Sequence, residues 1–247
     1  MRDLLICAIA FIAALLSSMS GGGAGIIVFP ALLSMGIPYP LVAAISSVNS
    51  VAWVLPAARN YLKGRTVRWE LVGIFSIIGL IGTYLGVVLV TSIDQRTLAV
   101  FVGIIILALV TYTYLKKNLG LRERHTYSRA RQAIAYPFAL ILGFYETVFG
   151  SGNGILFTTL TFYTNGFDFI DGLAHYYLVS FSWALFAAIL FILRGYYDVP
   201  MMILAAAGSV AGAHIGSKYA KGKGNKFIKW LFIFIGGVLA IKLLFGF

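Results

Sequence analysis

The sequence predicts an all-α polytopic membrane protein with two homologous halves. Of its 247 residues, 60% are hydrophobic and only 11% are charged, and Leu4–Ala58 contains no Lys, Arg, Asp, Glu or His. Soluble domains carry about 25% charged residues, whereas a membrane-spanning helix needs about 20 consecutive apolar residues. Similar glycine-rich patterns also recur about 130 residues apart, which indicates an internal duplication.

The first apolar segment is interrupted by glycines. Leu4–Ser20 is followed by Gly21-Gly22-Gly23-Ala24-Gly25 and then by Ile26–Met35. Because glycine is a poor helix former, we expect one helix to end at this cluster and a second half-helix to begin after it. The opening residues also resemble a signal peptide, but the matching segment Gln132–Gly150 lies where no signal peptide could be.

The rest of the chain consists of simple spans and short polar connectors. We predict full transmembrane helices at Leu71–Ile93, Thr97–Leu115, Leu173–Leu193, Val199–Ser217 and Phe227–Phe247, and a shorter one at Pro40–Ala57. No connector is long enough for a domain outside the membrane. We therefore divide the chain into a first transmembrane repeat at 1–120, a basic cytoplasmic linker at 121–131 and a second transmembrane repeat at 132–247.

A second interrupted segment runs from Gln132 to Asn165 and contains the stretch Gly143–Gly154. A continuous helix of that length would extend about 50 Å, well beyond a hydrocarbon core of about 30 Å. Gly23–Phe29 aligns with Gly152–Thr158, so the two interruptions occupy matching places in the repeat. Broken helices at corresponding positions of two halves are typical of the binding sites of secondary transporters. Each half is thus predicted to hold one glycine-broken, re-entrant or discontinuous helix and about three transmembrane helices.

Charge placement distinguishes two topologies. If each broken segment is a hairpin that leaves the membrane on the side it entered, fifteen of the 19 Lys and Arg residues lie on one side. If each broken segment crosses the membrane once, the division is thirteen to six. Because cytoplasmic loops are enriched in Lys and Arg, we favour hairpins, which make the halves inverted repeats and place both termini outside.

The helix starts after the two glycine clusters predict an anion site. The first N–H groups of a helix have no partner within the helix, lie at the positive end of its dipole, and are easily approached beside glycine. The alternative is that glycines only allow tight helix packing. We favour that alternative for Gly79, Gly82, Gly86, Gly208, Gly212 and Gly216. The predicted substrate-binding residues are Gly22, Gly23, Gly25, Ser46, Ser47, Asn49, Gly150, Gly152, Asn153, Gly154 and Tyr176.

Two ionisable residues are candidates for proton coupling. Glu146 lies within the second glycine-rich stretch, and His175 lies in the following predicted helix. Ionisable groups inside a membrane are functional candidates, and carboxyl and imidazole groups can relay protons. The alternatives are a helix-dipole or structural role for Glu146 and an interfacial hydrogen bond for His175.

Enzymatic and nucleic-acid functions are disfavoured. The chain has no His-Glu-x-x-His, Cys-x-x-Cys or P-loop motif, and Cys7 is its single cysteine. We expect no enzymatic activity, no cofactor and no metal site. The net charge of +11 fits basic cytoplasmic loops better than a nucleic-acid partner. The expected partners are a small anionic substrate and membrane lipid, and the sequence is compatible with a homo-oligomer.

The stretch Gly143–Gly154 resembles a motif of the TauE/SafE family of sulfite-exporter-like membrane permeases. The family pattern reads Gly-Phe-Tyr-Asp-Gly-Phe-Phe-Gly-Pro-Gly-Thr-Gly, and this chain reads Gly-Phe-Tyr-Glu-Thr-Val-Phe-Gly-Ser-Gly-Asn-Gly. Glu146 replaces the aspartate of the pattern and so retains a carboxyl group on a side chain that is one methylene longer, while Asn153 replaces a threonine. The first glycine break, Phe29-Pro30-Ala31-Leu32 and the Gly82 and Gly86 elements extend the resemblance over nearly the whole chain.

The resemblance implies a multi-pass protein of the plasma membrane that transports sulfite, sulfonates or related organosulfur anions. Export driven by the proton gradient is the expected mode, with alternating access around a fixed site. A passive anion channel and a carrier of another small carboxylate are the alternatives within transport. A membrane-embedded enzyme or an assembly partner is the alternative from another class.

Overall fold

The computed structural model of the protein describes residues 2–21, 24–92, 128–150 and 152–245, together with several positions between 104 and 115. In this part of the chain every regular element is a helix. Five helical stretches there are long and apolar enough to cross a membrane: Tyr39–Leu62, Trp69–Val90, Arg129–Phe149, Phe169–Leu193 and Val199–Leu231. The prediction of an all-α polytopic membrane protein is confirmed.

The first half contains four described helices, α1 (Arg2–Ser20), α2 (Ala24–Ser34), α3 (Tyr39–Leu62) and α4 (Trp69–Val90). α1 ends at Gly21, whose φ of 80° is a left-handed conformation that glycine adopts without strain. α3 begins directly after Pro38 and has Pro40 in its first turn, where a missing N–H removes no helical hydrogen bond. The first glycine cluster therefore separates two helices, as predicted.

The second half contains α5 (Arg129–Ala133), α6 (Phe138–Phe149), α7 (Asn153–Thr164), α8 (Phe169–Leu193) and α9 (Val199–Phe245). α6 ends at Gly150 and α7 begins after Gly152, with φ values of 58° and 80°. The side chain of Asp168 caps α8 by accepting a hydrogen bond from the N–H of Asp171 at 2.7 Å. The second break thus lies inside Gly143–Gly154, where the glycines predicted it.

Two expectations differ from the described structure. The polar segment Lys218–Lys229, expected as a connector, is helical throughout except for a kink at Gly224, where φ is 81°. Lysine and alanine are good helix formers, so the chain is helical up to Gly224 and again directly after it, and only the backbone of Gly224 leaves the helical conformation. α3 also extends beyond the predicted span Pro40–Ala57 at its C-terminal end. Most of the predicted helix Thr97–Leu115, and the part of the basic linker before residue 128, lie outside the described residues.

Two close helix pairs join the halves, α1 with α9 and α6 with α4. On α9, Gly208, Gly212 and Gly216 lie against the backbone carbonyls of Cys7, Phe11 and Leu15 on α1. On α4, Gly79, Gly82 and Gly86 lie in the same way against α6, with the backbone of Leu140 and Phe144 beside Gly82. These glycines therefore serve close helix packing, as the packing interpretation predicted for them.

The long helices α3 and α8 pack together in the centre of the molecule. The rings of Trp53 and Tyr177 meet edge to face with centroids 5.2 Å apart. At one end of the molecule Arg65, between α3 and α4, contacts Asp168 at the start of α8. Lys221 of α9 donates to the carbonyl of Asn60 at the end of α3, over 2.9 Å. We call this end the basic face.

Both ends of the segment α6–α7 lie near the basic face. α6 runs parallel to α4, because successive glycines of α4 meet successive turns of α6, and α4 begins beside Arg65. Just before α6, the Nε of Arg131 donates to the carbonyl of Tyr163 at the end of α7, over 3.0 Å. At the opposite face Arg194, after α8, donates to the carbonyl of Val87 near the end of α4 over 3.3 Å. The segment α6–α7 therefore turns back toward the end from which it started.

Candidate functional site

The two glycine breaks touch each other. The N–H of Gly25 donates to the carbonyl of Gly150 over 3.3 Å. A Cβ at Gly154 would collide with the carbonyl oxygen of Gly21 and with the ring of Tyr176. Only a residue without a side chain fits at Gly154, so the contact between the breaks depends on glycine at that position.

Backbone N–H groups at the first break have protein partners. The N–H of Ala24, which opens α2, donates to the Oγ of Ser17 over 2.9 Å, and that of Gly25 donates to Gly150. An anion bound at the start of α2 would replace these bonds in this conformation. Gly22 and Gly23, which belong to the predicted anion site, lie outside the described residues.

Glu146 lies at the second break and is surrounded by hydrogen-bond donors. The amide of Asn153 donates to its Oε2 over 2.7 Å, and the hydroxyl of Tyr176 donates to the same oxygen over 3.3 Å. The hydroxyl of Ser180 donates to Oε1. Three donors from α7 and α8 thus converge on one carboxyl of α6. This arrangement compensates for the loss of water around a buried carboxylate.

Asn153 connects the two sides of the second break. Its Nδ2 donates to Glu146 and, over 3.0 Å, to the carbonyl of Leu142 one turn earlier on α6. Its Oδ1 is buried and has no hydrogen-bond partner in the described part of the chain. The side chain therefore has one unused acceptor beside a carboxyl group.

A small cavity opens beside Glu146. Its polar lining consists of Ser46, Ser47, Ser50, Glu146, Thr147 and the backbone of Gly150. The serines come from α3 of the first half, whereas Glu146 and Gly150 come from the second. The cavity volume is about 20 Å³, which is enough for a water-sized molecule.

The remaining lining of the cavity is mostly apolar. Phe29 of α2 and Trp183 of α8 are its aromatic residues, and Ala43, Ala184 and Ala187 complete most of this side. These residues were not among the predicted site residues. Tyr176, Ser180, Trp183 and Ala187 follow the helical period of three or four residues, so their common face on α8 could have been read from the sequence.

The structure brings together most, but not all, of the predicted site residues. Ser46, Ser47, Glu146 and Gly150 line the cavity, while Asn153 and Tyr176 bond Glu146. Gly25, Gly152 and Gly154 form the adjoining breaks. Asn49 instead accepts a hydrogen bond from Ser209 of α9.

His175 lies toward the basic face, away from the Glu146 group. Its Nε2 accepts a hydrogen bond from the backbone N–H of Arg68 over 3.0 Å, and its Nδ1 lies 2.8 Å from the carbonyl of Asp171. Both ring nitrogens therefore hold backbone groups at the end of the bundle. These contacts match the alternative of an interfacial hydrogen bond, and a proton-coupling role for His175 stays a prediction.

Comparisons with known proteins agree on the kind of molecule. The family model described as sulfite exporter TauE/SafE matches residues 6–243. A protein of Haemophilus influenzae, named a probable membrane transporter protein, is 28% identical over 98% of this chain and 94% of its own length. A Sinorhizobium protein, probable membrane transporter protein ORF9, is 29% identical over 95% of this chain and 89% of its own length. The probable membrane transporter protein YfcA of Escherichia coli K12 is 25% identical over 96% and 87%.

No solved structure matches the chain. The similar proteins are named as membrane transporters and not as enzymes, which agrees with the apolar spans and the absence of an enzyme motif in the sequence. The family model covers nearly the whole sequence, including both glycine breaks and the Glu146 group. This multi-pass membrane protein therefore belongs to the sulfite exporter TauE/SafE family of membrane transporters.

Proposed function

We propose that this protein is a proton-coupled secondary transporter of small anions in the plasma membrane. The proposed substrates are sulfite, sulfonates or related organosulfur anions, and the proposed direction is export. The family supplies the expectation of an organosulfur anion, and the geometry around Glu146 supplies the reason for proton coupling. No cofactor or metal enters the proposed mechanism.

The observation that carries the proposal is the position of Glu146. Its carboxyl group lines the same small cavity as Ser46, Ser47 and Ser50. Serine hydroxyls can donate hydrogen bonds to an anion, but an ionised carboxylate would repel it. At a separation of about 4 Å and an effective dielectric constant of about 20, the repulsion between two unit charges is about 4 kcal/mol.

This repulsion couples the anion to a proton. An anion in the cavity favours the protonated form of Glu146, and by reciprocity the protonated form favours the anion. When the site holds no anion, Glu146 is ionised, and its carboxylate is stabilised by hydrogen bonds from Tyr176, Ser180 and Asn153. The site then changes its access either protonated and loaded with an anion or ionised and empty. The proton and the anion therefore move in the same direction, and in export the outward anion gradient carries a proton out with each anion.

Alternating access is supported by the arrangement of the halves. α1 of the first half packs on α9 of the second, α6 of the second half packs on α4 of the first, and α6–α7 returns to its starting face. Such contacts are those of inverted repeats that rock against one another around a fixed site. The cavity lies between the halves, because its serines belong to α3 and its carboxyl group to α6. In the proposed cycle a movement of the halves that separates α3 from α6 widens this water-sized cavity for the anion.

Sulfite flux in proteoliposomes with an imposed proton gradient tests the proposal. We expect saturable, gradient-driven flux for the wild-type protein. Glu146→Gln should abolish gradient-driven accumulation but keep sulfite exchange at equal pH, because glutamine resembles the protonated side chain and cannot release a proton. Glu70→Gln, at an exposed acid in the first turn of α4, is the matched control and should behave as wild type.

Each other outcome identifies a specific failure. Gradient-driven accumulation by Glu146→Gln would remove the coupling role of Glu146. Flux that does not saturate would favour a passive channel. A folded protein without sulfite flux would exclude sulfite and direct the assay to sulfonates and small carboxylates, and inactivity with all of these anions would favour an assembly partner.

A further inference from the structure

We infer that Trp183 sets the largest anion that the cavity accepts, and that Gly79 positions Trp183 for this role. The inference rests on the proposed function, because it concerns the cavity beside Glu146. Trp183 of α8 would thus limit the size of the substrate. Gly79 of α4, which otherwise only allows close helix packing, would fix the position of the Trp183 ring. Trp183 lines the cavity directly, whereas Gly79 acts through Trp183.

Trp183 lies one turn from the Glu146 group. On α8 it follows Ser180, whose hydroxyl donates to Glu146, so both side chains are on the same helix face. Its side chain lines the cavity and is only 1% exposed. Its indole N–H donates to the carbonyl of Ser76 on α4 over 3.1 Å. The indole ring is thus held between α4 and the cavity.

Gly79 leaves the space that this ring occupies. A Cβ at Gly79 would collide with three indole atoms of Trp183, namely Cε2, Nε1 and Cζ2. On its other side, the backbone of Gly79 is covered by Gly143 of α6. α4 therefore cannot move away from Trp183 without disturbing its close contact with α6. A methyl group at position 79 would push the rigid indole ring off Ser76 and toward the cavity.

Most of the other side chains of the lining cannot set the same limit. Ala43, Ala184 and Ala187 are already small, and the serines are the proposed anion ligands. Phe29 is the other aromatic side chain of the lining, and it comes from the interior of α2. Among the lining residues of α8, shortening Trp183 therefore adds the most room to a cavity of about 20 Å³.

Thiol labelling tests the size limit without relying on transport. In a Cys7→Ser background, which has no other cysteine, Ser46→Cys places one thiol in the cavity. Methanethiosulfonate reagents with a small or a bulky anionic head group then measure the accessible size. We expect Trp183→Phe and Trp183→Ala to raise the labelling rate of the bulky reagent about tenfold or more, with little change for the small one.

Gly79→Ala should have the opposite effect, and it should depend on Trp183. In protein that keeps Trp183, it should slow labelling by both reagents. In the Trp183→Ala variant it should have little additional effect. Gly82→Ala is the matched control, because a Cβ at Gly82 meets the backbone of α6 and not Trp183. It should change folding yield but not the ratio of the two labelling rates.

Sulfite and larger sulfonate fluxes of the same variants provide the second measurement. Trp183→Phe should lower the KM for a larger sulfonate relative to that for sulfite. An unchanged labelling ratio in folded Trp183→Phe and Trp183→Ala would overturn the size role. An equal effect of Gly79→Ala with and without Trp183 would overturn the role of Gly79. Changed labelling ratios with no flux of any anion would sustain the size limit and reject the proposed function.

Discussion

At the scale of single residues, Asn153 and Glu146 form the central pair. Asn153 is the first residue of α7, yet its side chain reaches back to α6, where it bonds both Glu146 and the carbonyl of Leu142. A single amide therefore closes the second break and holds the carboxyl group in place. The TauE/SafE family pattern has threonine at this position, and a threonine hydroxyl offers one hydrogen-bond donor where the asparagine amide offers two.

The first prediction concerns this amide. Asn153→Ala removes both donors and should destabilise the protein by about 2 kcal/mol, the usual loss for a hydrogen bond to a charged group. It should also reduce gradient-driven flux. Asn153→Thr keeps a hydroxyl donor and should retain most of the flux. Thermal unfolding in detergent and flux in proteoliposomes measure the two effects, and equal behaviour of the two variants would contradict the role of the donor.

The residues of the site could be predicted only in part. Glu146 and Asn153 stood out because an acid and an amide are rare in an apolar, glycine-rich segment. The pairing of Glu146 with Ser180, and the position of Trp183 beside the cavity, depend on how α8 packs against α6 and α4. His175 shows the converse: an ionisable residue in an apolar span attracts attention, but its partners are backbone groups of Arg68, before α4, and of Asp171, one turn earlier on α8.

At the scale of helices and loops, an ionic cluster joins the halves at the basic face. Arg65 contacts both oxygens of Asp168, at 3.1 and 3.0 Å, and its Nη1 lies 2.6 Å from Asp171. Asn225, directly after the kink in α9, donates to Asp168 over 3.1 Å. Partial burial alone would lower the pKa of Arg65, but the two carboxylates outweigh burial and raise it. The cluster thus ties the α3–α4 loop to the start of α8.

The second prediction concerns this cluster. Arg65→Ala leaves two neighbouring carboxylates without their cation, so we expect a loss of about 2 kcal/mol. That loss corresponds to a decrease of about 5 °C in the midpoint of thermal unfolding for a chain of this size. Arg65→Lys should recover only part of it, because lysine cannot form the bidentate contact. Arg59→Ala, at an exposed arginine near the end of α3, is the control, and an equal decrease there would contradict the role of the cluster.

The breaks and the kink show what glycine predicts about a helix. Gly150 and Gly152 both adopt positive φ and separate α6 from α7. Gly224 also adopts a positive φ, but α9 continues on both sides of it. Gly222 and Gly224 have the same spacing as Gly150 and Gly152, but of that pair only Gly224 has a positive φ, whereas Gly150 and Gly152 both have one. Two close glycines therefore do not by themselves predict the end of a helix, and neither does a polar segment.

At the scale of the whole molecule, the duplication in the sequence corresponds to an exchange of helices between the halves. The repeat predicted two similar sets of helices, but it could not predict that α1 packs on α9 and α6 on α4. That arrangement follows from the glycine stripes of α4 and α9, which match helices of the other half. The site is consequently shared, with serines from one half and the carboxyl group from the other.

The last prediction concerns the orientation of this arrangement in the membrane. Lys63 and Lys221 lie at the basic face with Arg65, while Arg194 and the following loop lie at the opposite face. Because cytoplasmic segments are enriched in Lys and Arg, we expect the basic face to be cytoplasmic. The two topologies differ on this point, since a single crossing by each broken segment would put Arg59–Arg68 and Arg194 on the same side.

Single-cysteine labelling of intact cells with an impermeant reagent separates the two topologies. In the Cys7→Ser background, Tyr197→Cys should be labelled from outside and Lys63→Cys should be protected. Tyr197 is 56% exposed in the loop after α8, and Lys63 is exposed at the end of α3. Leu4 is 77% exposed near the start of α1. If the first broken segment is also a hairpin, Leu4→Cys should be labelled from outside, as Tyr197→Cys is. Labelling of positions 63 and 197 from the same side would reject the hairpins, and with them the inverted halves on which alternating access depends.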